Sequence, residues 1–141
     1  MAQRADSSSL LPIAKQSEVF PGTELKEKRI IRVAPLKKYL DPADIRAPAL
    51  LKIDVQGYEM EALRACELLL TLFEFVYVEL SYVELYRGQP LAGDVIRCLA
   101  ERQFQLIGVY NQSTDSHGKP VQADFLFANV RSEDEPTTKA E

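Results

Sequence analysis

The stretch ALLKIDVQGYEMEALRACELLLTLFEFVYVELS, residues 49–81, constrains the fold more than any other part of the chain. ALLKIDV is a nearly continuous apolar run that ends in a polar residue, the pattern of a parallel strand covered on both faces. Gly57 then permits a tight turn from strand to helix. From there Ala62, Leu63, Cys66, Leu69 and Leu70 recur at helical spacing, and Glu59 and Glu61 stand in the first turn, where the positive helix end favours carboxylates. FEFVYVELS reads as a second buried strand.

The rest extends that pattern. A second amphipathic helix is predicted over 91–102, burying Val95, Cys98 and Leu99, and it leads into FQLIGVY, residues 104–110, as a third strand. The turn NQSTDSHGKP separates that strand from QADFLFANV, residues 122–130. So short a connection makes the two an antiparallel hairpin. Upstream, 1–28 reads as an irregular arm broken by Pro12, Pro21 and Gly22; the β-branched IIRVAPL, 30–36, as a short strand; and KKYLDPADIRAP as a helical turn and a loop. The expected organisation is an arm with a short strand over 1–47, an α/β unit over 48–130, and a charged, disordered tail over 131–141.

Composition narrows the function classes. The 141 residues, 46% of them hydrophobic, suffice for one shared core. No run approaches the roughly 18 apolar residues of a membrane helix, and MAQRADSSSL lacks a signal peptide's apolar stretch, so a cytoplasmic protein without a membrane partner is expected. Cys66 and Cys98 lack the close spacing of a zinc or redox motif and read as buried free thiols on two helices. His117 reads as a solvated loop residue, and no metal site is expected. Residues 1–52 carry ten basic and six acidic side chains and 53–141 carry seven and fifteen. The basic residues are scattered without interleaved aromatics, so no nucleic-acid partner is expected.

Open parallel sheets collect ligands at the carboxyl ends of their strands, which singles out Asp54, just after ALLKI, and Glu79, after FVYV. If the two strands are neighbours, roughly 4.8 Å apart, the two carboxylates face one crevice. There they can bind a cationic group or deprotonate a hydroxyl. Asp54 also fits a plain helix N-cap, and Glu59 needs no ligand to explain it. Ser81 and Tyr82 follow Glu79, where loop aromatics can shape a substrate pocket; core packing explains Tyr82 and Tyr86 equally well. Gln122 and Asp124 read as solubilising residues of an edge strand. The six glycines form no G-x-G, so no glycine-rich nucleoside or phosphate loop is present.

Together LLKIDVQGYEMEALRACELLL, VYVELSYVELYRGQP, FQLIGVYNQ and QADFLF closely resemble the FkbM-type methyltransferase family over residues 48–130. SSSLLPI and RVAPLKKYLDP extend the likeness weakly upstream. Lys52, Ile53, Asp54, Gly57 and Glu59 match the family's K-I-D-x-x-G-x-E motif. The resemblance implies a Rossmann-like class I methyltransferase sheet, of which this chain is the carboxyl-terminal part: parallel strands with helices and a terminal antiparallel hairpin. It implies S-adenosylmethionine as cofactor and O-methyl transfer to a sugar or small-metabolite hydroxyl. It assigns Asp54 and Glu79 to catalysis, Asp54, Gln56 and Gly57 to the cofactor, and Glu59, Ser81 and Tyr82 to the acceptor. The family's first strand and glycine-rich loop have no counterpart here, so a truncated domain is expected. Gln103 stands where the family often has glycine, which calls for a left-handed backbone.

Two other classes remain: a non-catalytic remnant or interaction module that keeps the sheet, and a hydrolase using Asp54 and Glu79 as acid and base, for which no motif is present. The resemblance also makes 49–55 a central strand whose usual neighbour is missing. Unless IIRVAPL takes that place, self-association through this apolar edge is expected.

Overall fold

A computed structural model describes residues 8–130; the expected tail at 131–141 lies outside the described residues. The central unit follows the predicted order, except that the single helix expected after Gly57 breaks at Cys66 into two. Strand β1 (Leu50–Ile53) is followed by helices α2 (Glu59–Ala65) and α3 (Glu67–Leu70) and by strand β2 (Phe75–Ser81), which pairs with β1 in parallel. A short helix, α1 (Gln16–Val19), precedes them, and α4 (Ala92–Ala100), β3 (Phe104–Thr114) and β4 (Pro120–Asn129) complete the chain. The predicted hairpin forms, with β3 running four residues further than expected and the turn shrinking accordingly.

The sheet order is β1-β2-β4-β3. The chain leaves β2, crosses by α4 to the far edge, and returns in β4 between β2 and β3. The fold is therefore mixed α/β, with one parallel pair and two antiparallel ones. This corrects the edge-strand reading of Gln122 and Asp124: β4 is interior, and Gln122 and Asp124 pair with Ser81 and Glu79 of β2.

Covering β1 on both faces does not occur either. Leu51 and Ile53 are buried, whereas Leu50 and Lys52 are exposed. Helices α2, α3 and α4 supply Leu63, Leu69, Leu70, Val95 and Leu99 to a core against Val76, Val78, Leu80, Phe125 and Phe127, all on one face of the sheet. Burying each such side chain contributes about 1.5–3 kcal/mol, so this single layer stabilises the unit. The outer face, where Tyr77 and Glu79 meet Leu126 and Asp124 across the strands, stays half-buried. Polar groups tie down the amino end of the parallel pair: Glu74 Oε2 accepts from the Ala49 amide at 2.5 Å, and Asn129 Nδ2 donates to the Phe73 carbonyl at 3.2 Å.

The arm is more ordered than its composition suggests. Ala14 and Gln16 amides both donate to the Leu85 carbonyl, at 2.8 and 3.1 Å, and the Arg87 amide to the Pro12 carbonyl at 2.8 Å. Leu11, Ile13, Val19 and Phe20 pack on a second small core of Leu85, Tyr86 and Val121. The predicted strand at 30–36, in contrast, does not form. Ile31 and Val33 are 60% and 64% exposed and Ile30 is fully exposed. A strand needs a neighbouring ladder, Pro35 offers no donor, and a 3-10 turn starts at Leu36. Cys66 and Cys98 are buried free thiols, but Cys66 stands at the junction of α2 and α3. Gln103 has φ 68°, the left-handed conformation expected there. No helix among the described residues is long and apolar enough to cross a membrane.

With 30–36 unpaired, β1 is an edge strand, and no backbone hydrogen bond from 20–48 reaches residues 50–53 among the described residues. Leu50 is 54% exposed there and Lys52 is the strand's one charge. Flat, weakly charged edges pair with one another. Light scattering at micromolar concentration should therefore report species above the 15.9 kDa of one chain; a clean monomer would mean that the arm shields the edge in solution.

Candidate functional site

The site starts at the turn that joins β1 to α2. Gln56 and Gly57 both have positive φ, 48° and 96°, so the chain reverses within two residues. Glycine at 57 is required by space as well as by φ. A Cβ there would lie 3.1 Å from both Gln89 Cβ and Leu11 Cδ1, tighter than ordinary contact. Ser9 Oγ donates to the Gln56 carbonyl, and the Gly57 amide donates to Glu59 Oε1 at 2.8 Å. Glu59 is thus a buried carboxylate folded back onto the turn. Burial raises its pKa above the usual carboxyl value, against the pull of the Gly57 amide.

Asp54 is not the helix cap. Tyr58 occupies the N-cap position of α2, and no side chain caps it. The Asp54 carboxylate instead accepts from Gln56 Nε2 at 3.1 Å and lies 3.5 Å from Lys52 Nζ. The parallel register sets Ile53 beside Val78, which brings Asp54 next to Glu79. Gln56 Nε2 also donates to Glu79 Oε2 at 2.8 Å, so one amide nitrogen holds both carboxylates. From β4, Gln122 Nε2 donates to Glu79 Oε1 at 3.0 Å.

These surroundings decide the protonation of Glu79. Its pKa is pushed up from 4.5 to about 7, first by burial and then by the Asp54 charge; the Gln56 hydrogen bond opposes them, and Asp124 and Glu59 add to the rise. Asp124 is held apart by donors of its own, Tyr77 Oη at 2.9 Å and Asn111 Nδ2 at 2.7 Å. Asn111 sits at φ 49° where the β3–β4 register shifts. Bulges of this kind re-aim side chains, and here the bulge turns an amide toward the carboxylate row.

Of the residues expected at the site, Asp54, Gln56, Gly57 and Glu79 come together, with Glu59 beneath the turn. Ser81 is buried and pairs with Gln122. Tyr82 lies on the helix side of the sheet, its ring edge-on to Phe125 with centroids 5.8 Å apart. Gln122, Asp124, Asn111 and Tyr86 belong to the cluster although the sequence reading set them elsewhere or left them open. Alternation along PVQADFLFAN puts Gln122 and Asp124 on one face, and only the interior place of β4 carries that face to Glu79. A cavity of about 520 Å³ lies away from these groups, between α2 and α4, where Arg64, Asp94, Arg97 and Glu101 are among its lining and Asp94 and Arg97 form an exposed ion pair.

The arrangement can accept a proton near neutral pH and can stabilise a cation through several carboxylates. It lacks a metal-ligating group of three or more His, Cys, Asp or Glu among the described residues.

The family model for the methyltransferase FkbM domain matches residues 2–106, which is 105 of the 141 residues. The match spans the arm, the Asp54 turn and Glu79, and ends within β3. Neither a curated protein nor a solved structure matches the chain.

Glu79 makes stability depend on pH in a stated direction. Its folded pKa of about 7 exceeds the ordinary 4.5, so between those values the folded state binds the extra proton and stability falls as pH rises. Glu59, raised too, acts in the same sense. Glu79→Gln should therefore stabilise the protein at pH 8 by about 1–2 kcal/mol, less than the full linkage value because the carboxyl is partly solvated. The gain should vanish at pH 4. Urea unfolding at both pH values tests this, and an equal difference between variant and wild type at the two would refute it.

Proposed function

The chain belongs to the methyltransferase FkbM domain family, and on that footing we propose that it takes part in O-methylation of a sugar or small-metabolite hydroxyl, with Glu79 as the proton acceptor. The observation that carries the reading is Glu79 itself: a carboxyl with a pKa of about 7, next to a second carboxylate, at the carboxyl ends of two parallel strands. A base poised near the working pH is what a neutral hydroxyl needs.

S-adenosylmethionine, the donor that the family implies, supplies when bound an electrophilic methyl group on a positively charged sulfur. The residues present fit the charged end of such a donor. Asp54 and Glu79 with Glu59 and Asp124 nearby give a cluster of carboxyl groups, and Asp54, Gln56 and Gly57 would hold the group there. The six glycines offer no G-x-G turn for its nucleoside. This chain thus contributes the sulfonium and acceptor side of a Rossmann-like site. Glu79, as carboxylate, would take the proton from the acceptor hydroxyl and leave an electron pair on its oxygen free for attack. Asp54 stands as a second carboxyl group beside it, and Gln56 keeps the two in place.

A hydroxyl-rich acceptor suits the row beyond Glu79. Gln122 and Asn111 offer amide N–H groups, Asp124 accepts, and Tyr77 and Tyr110 flank them on the outer face of the sheet. Alternating donors and acceptors beside aromatic rings match the alternating faces of a saccharide. A second reading, a non-catalytic module that keeps a methyltransferase-like sheet, draws support from the exposed β1 edge and the half-buried outer face.

Transfer of a labelled methyl group from S-adenosylmethionine to a panel of saccharides and polyols separates the two. The enzymatic reading expects label in an ether product, with Glu79→Gln lowering kcat about 10²–10⁴-fold and Asp54→Asn lowering turnover far more than it lowers the thermal midpoint. Folded wild-type chain that labels no acceptor would favour the module.

A further inference from the structure

Gln56 has more than one way to sit between Asp54 and Glu79, because its side-chain amide can turn over. Turned over, it would point Oε1 at two carboxylates. The observed orientation uses both N–H groups, one for Asp54 and one for Glu79, and leaves Oε1 facing away. Oε1 is not left over: Tyr86 Oη donates to it at 3.0 Å from the loop that follows β2.

Tyr86 is itself held on several sides. It is among the largest fully buried side chains. Gln89 Oε1 accepts from the backbone amides of both Leu85 and Tyr86, at 2.8 and 2.6 Å, and Ile13 of the arm bridges to Tyr86 in an antiparallel pair. Gly57 lies against Tyr86, where a Cβ would stand 3.4 Å from Tyr86 Cβ. The tyrosine is thus fixed to the same turn that carries Gln56, and its hydroxyl reaches the Gln56 amide that contacts Glu79. A buried, hydrogen-bonded chain of this kind restricts rotation more than either contact does separately.

We propose that Tyr86 is a positioning residue for Glu79, acting through the Gln56 amide. Its service to a proton acceptor rests on the methyltransferase reading; the link between Tyr86 and Glu79 does not. Without the phenol, Gln56 rotates, and its donation to Glu79 is no longer held. That donation favours the carboxylate, so its loss raises the proton affinity of Glu79. The other groups facing Glu79 remain: Lys52 and Asp54 from β1 and its exit, Glu59 from α2, Tyr77 from β2, and Gln122 and Asp124 from β4.

The test is an NMR titration of the full chain carrying carbon-13 in its glutamate carboxyl groups, with Glu79 assigned through Glu79→Gln. In Tyr86→Phe the Glu79 midpoint should rise by about 0.5 pH unit or more, roughly a threefold gain in proton affinity. Gln56→Met should raise it at least as far, and the double variant should rise no further than Gln56→Met, because both act on one link. Packing alone would give additive effects and no common shift. A folded Tyr86→Phe with an unmoved midpoint overturns the proposal; so does an unmoved midpoint in Gln56→Met, which decides the matter should Tyr86→Phe fail to fold. Methyl transfer measured on the same samples keeps the two ideas apart. A shifted midpoint without any transfer removes the enzymatic reading alone, and transfer with an unshifted midpoint removes the Tyr86 link alone.

Discussion

Two carboxylates held side by side by one neutral amide are the constraint on which the rest of the molecule depends. Asp54 and Glu79 would separate if they were free to, since the Asp54 charge raises the cost of ionising Glu79. Three things keep them together. The parallel register of β1 and β2 leaves them no lateral freedom, the two left-handed residues Gln56 and Gly57 return the chain over the strand ends, and the Gln56 amide spans the gap. A side chain at position 57 would strain that turn, because φ there is 96° and a Cβ would crowd Gln89 and Leu11 at 3.1 Å.

The energy for this crowding comes from the opposite face of the sheet. Leu63, Val76, Val78, Val95, Leu99 and Phe127 are almost wholly buried, and each contributes about 1.5–3 kcal/mol relative to exposure. That sum is large enough to carry one carboxyl whose pKa has moved from 4.5 to about 7. The small second core under residues 82–91 has a different task. It is too small to stabilise much by itself, yet it locks Leu11, Ile13 and Tyr86 against the turn, so the arm serves the site rather than the sheet.

What was legible in the sequence follows from how local each feature is. ALLKIDV, the helix after Gly57 and FEFVYVELS declare themselves by period and length, but their adjacency stayed open in the sequence, and the parallel pairing of β1 with β2 is what puts Asp54 beside Glu79. IIRVAPL misleads because β-branched residues signal a strand while saying nothing of a partner, and its side chains stay in solvent. The interior position of β4 was not legible, since a hairpin can add to β2 by either strand. With it went the proper place of Gln122 and Asp124. The second covered face of β1 was inferred from an apolar run, but the run alternates in burial and one face is open. Tyr86 could be read as core, and it is core; that its hydroxyl also reaches Gln56 depends on a contact 30 residues away in sequence.

The choice of glutamine at position 56 has a physical logic that a cation would not satisfy. An ammonium or guanidinium between Asp54 and Glu79 would hold them as well, with charge-assisted bonds about twice as strong as those of a neutral amide. It would also cancel the Asp54 field and draw the Glu79 pKa down, so that the carboxylate would no longer take up a proton near neutrality. And it would set positive charge among the carboxyl groups, against any cationic ligand. A neutral amide holds the geometry and leaves the negative charge in place. The price is that an amide has two ends and must be kept the right way round, and in this fold that falls to the hydroxyl of a buried tyrosine.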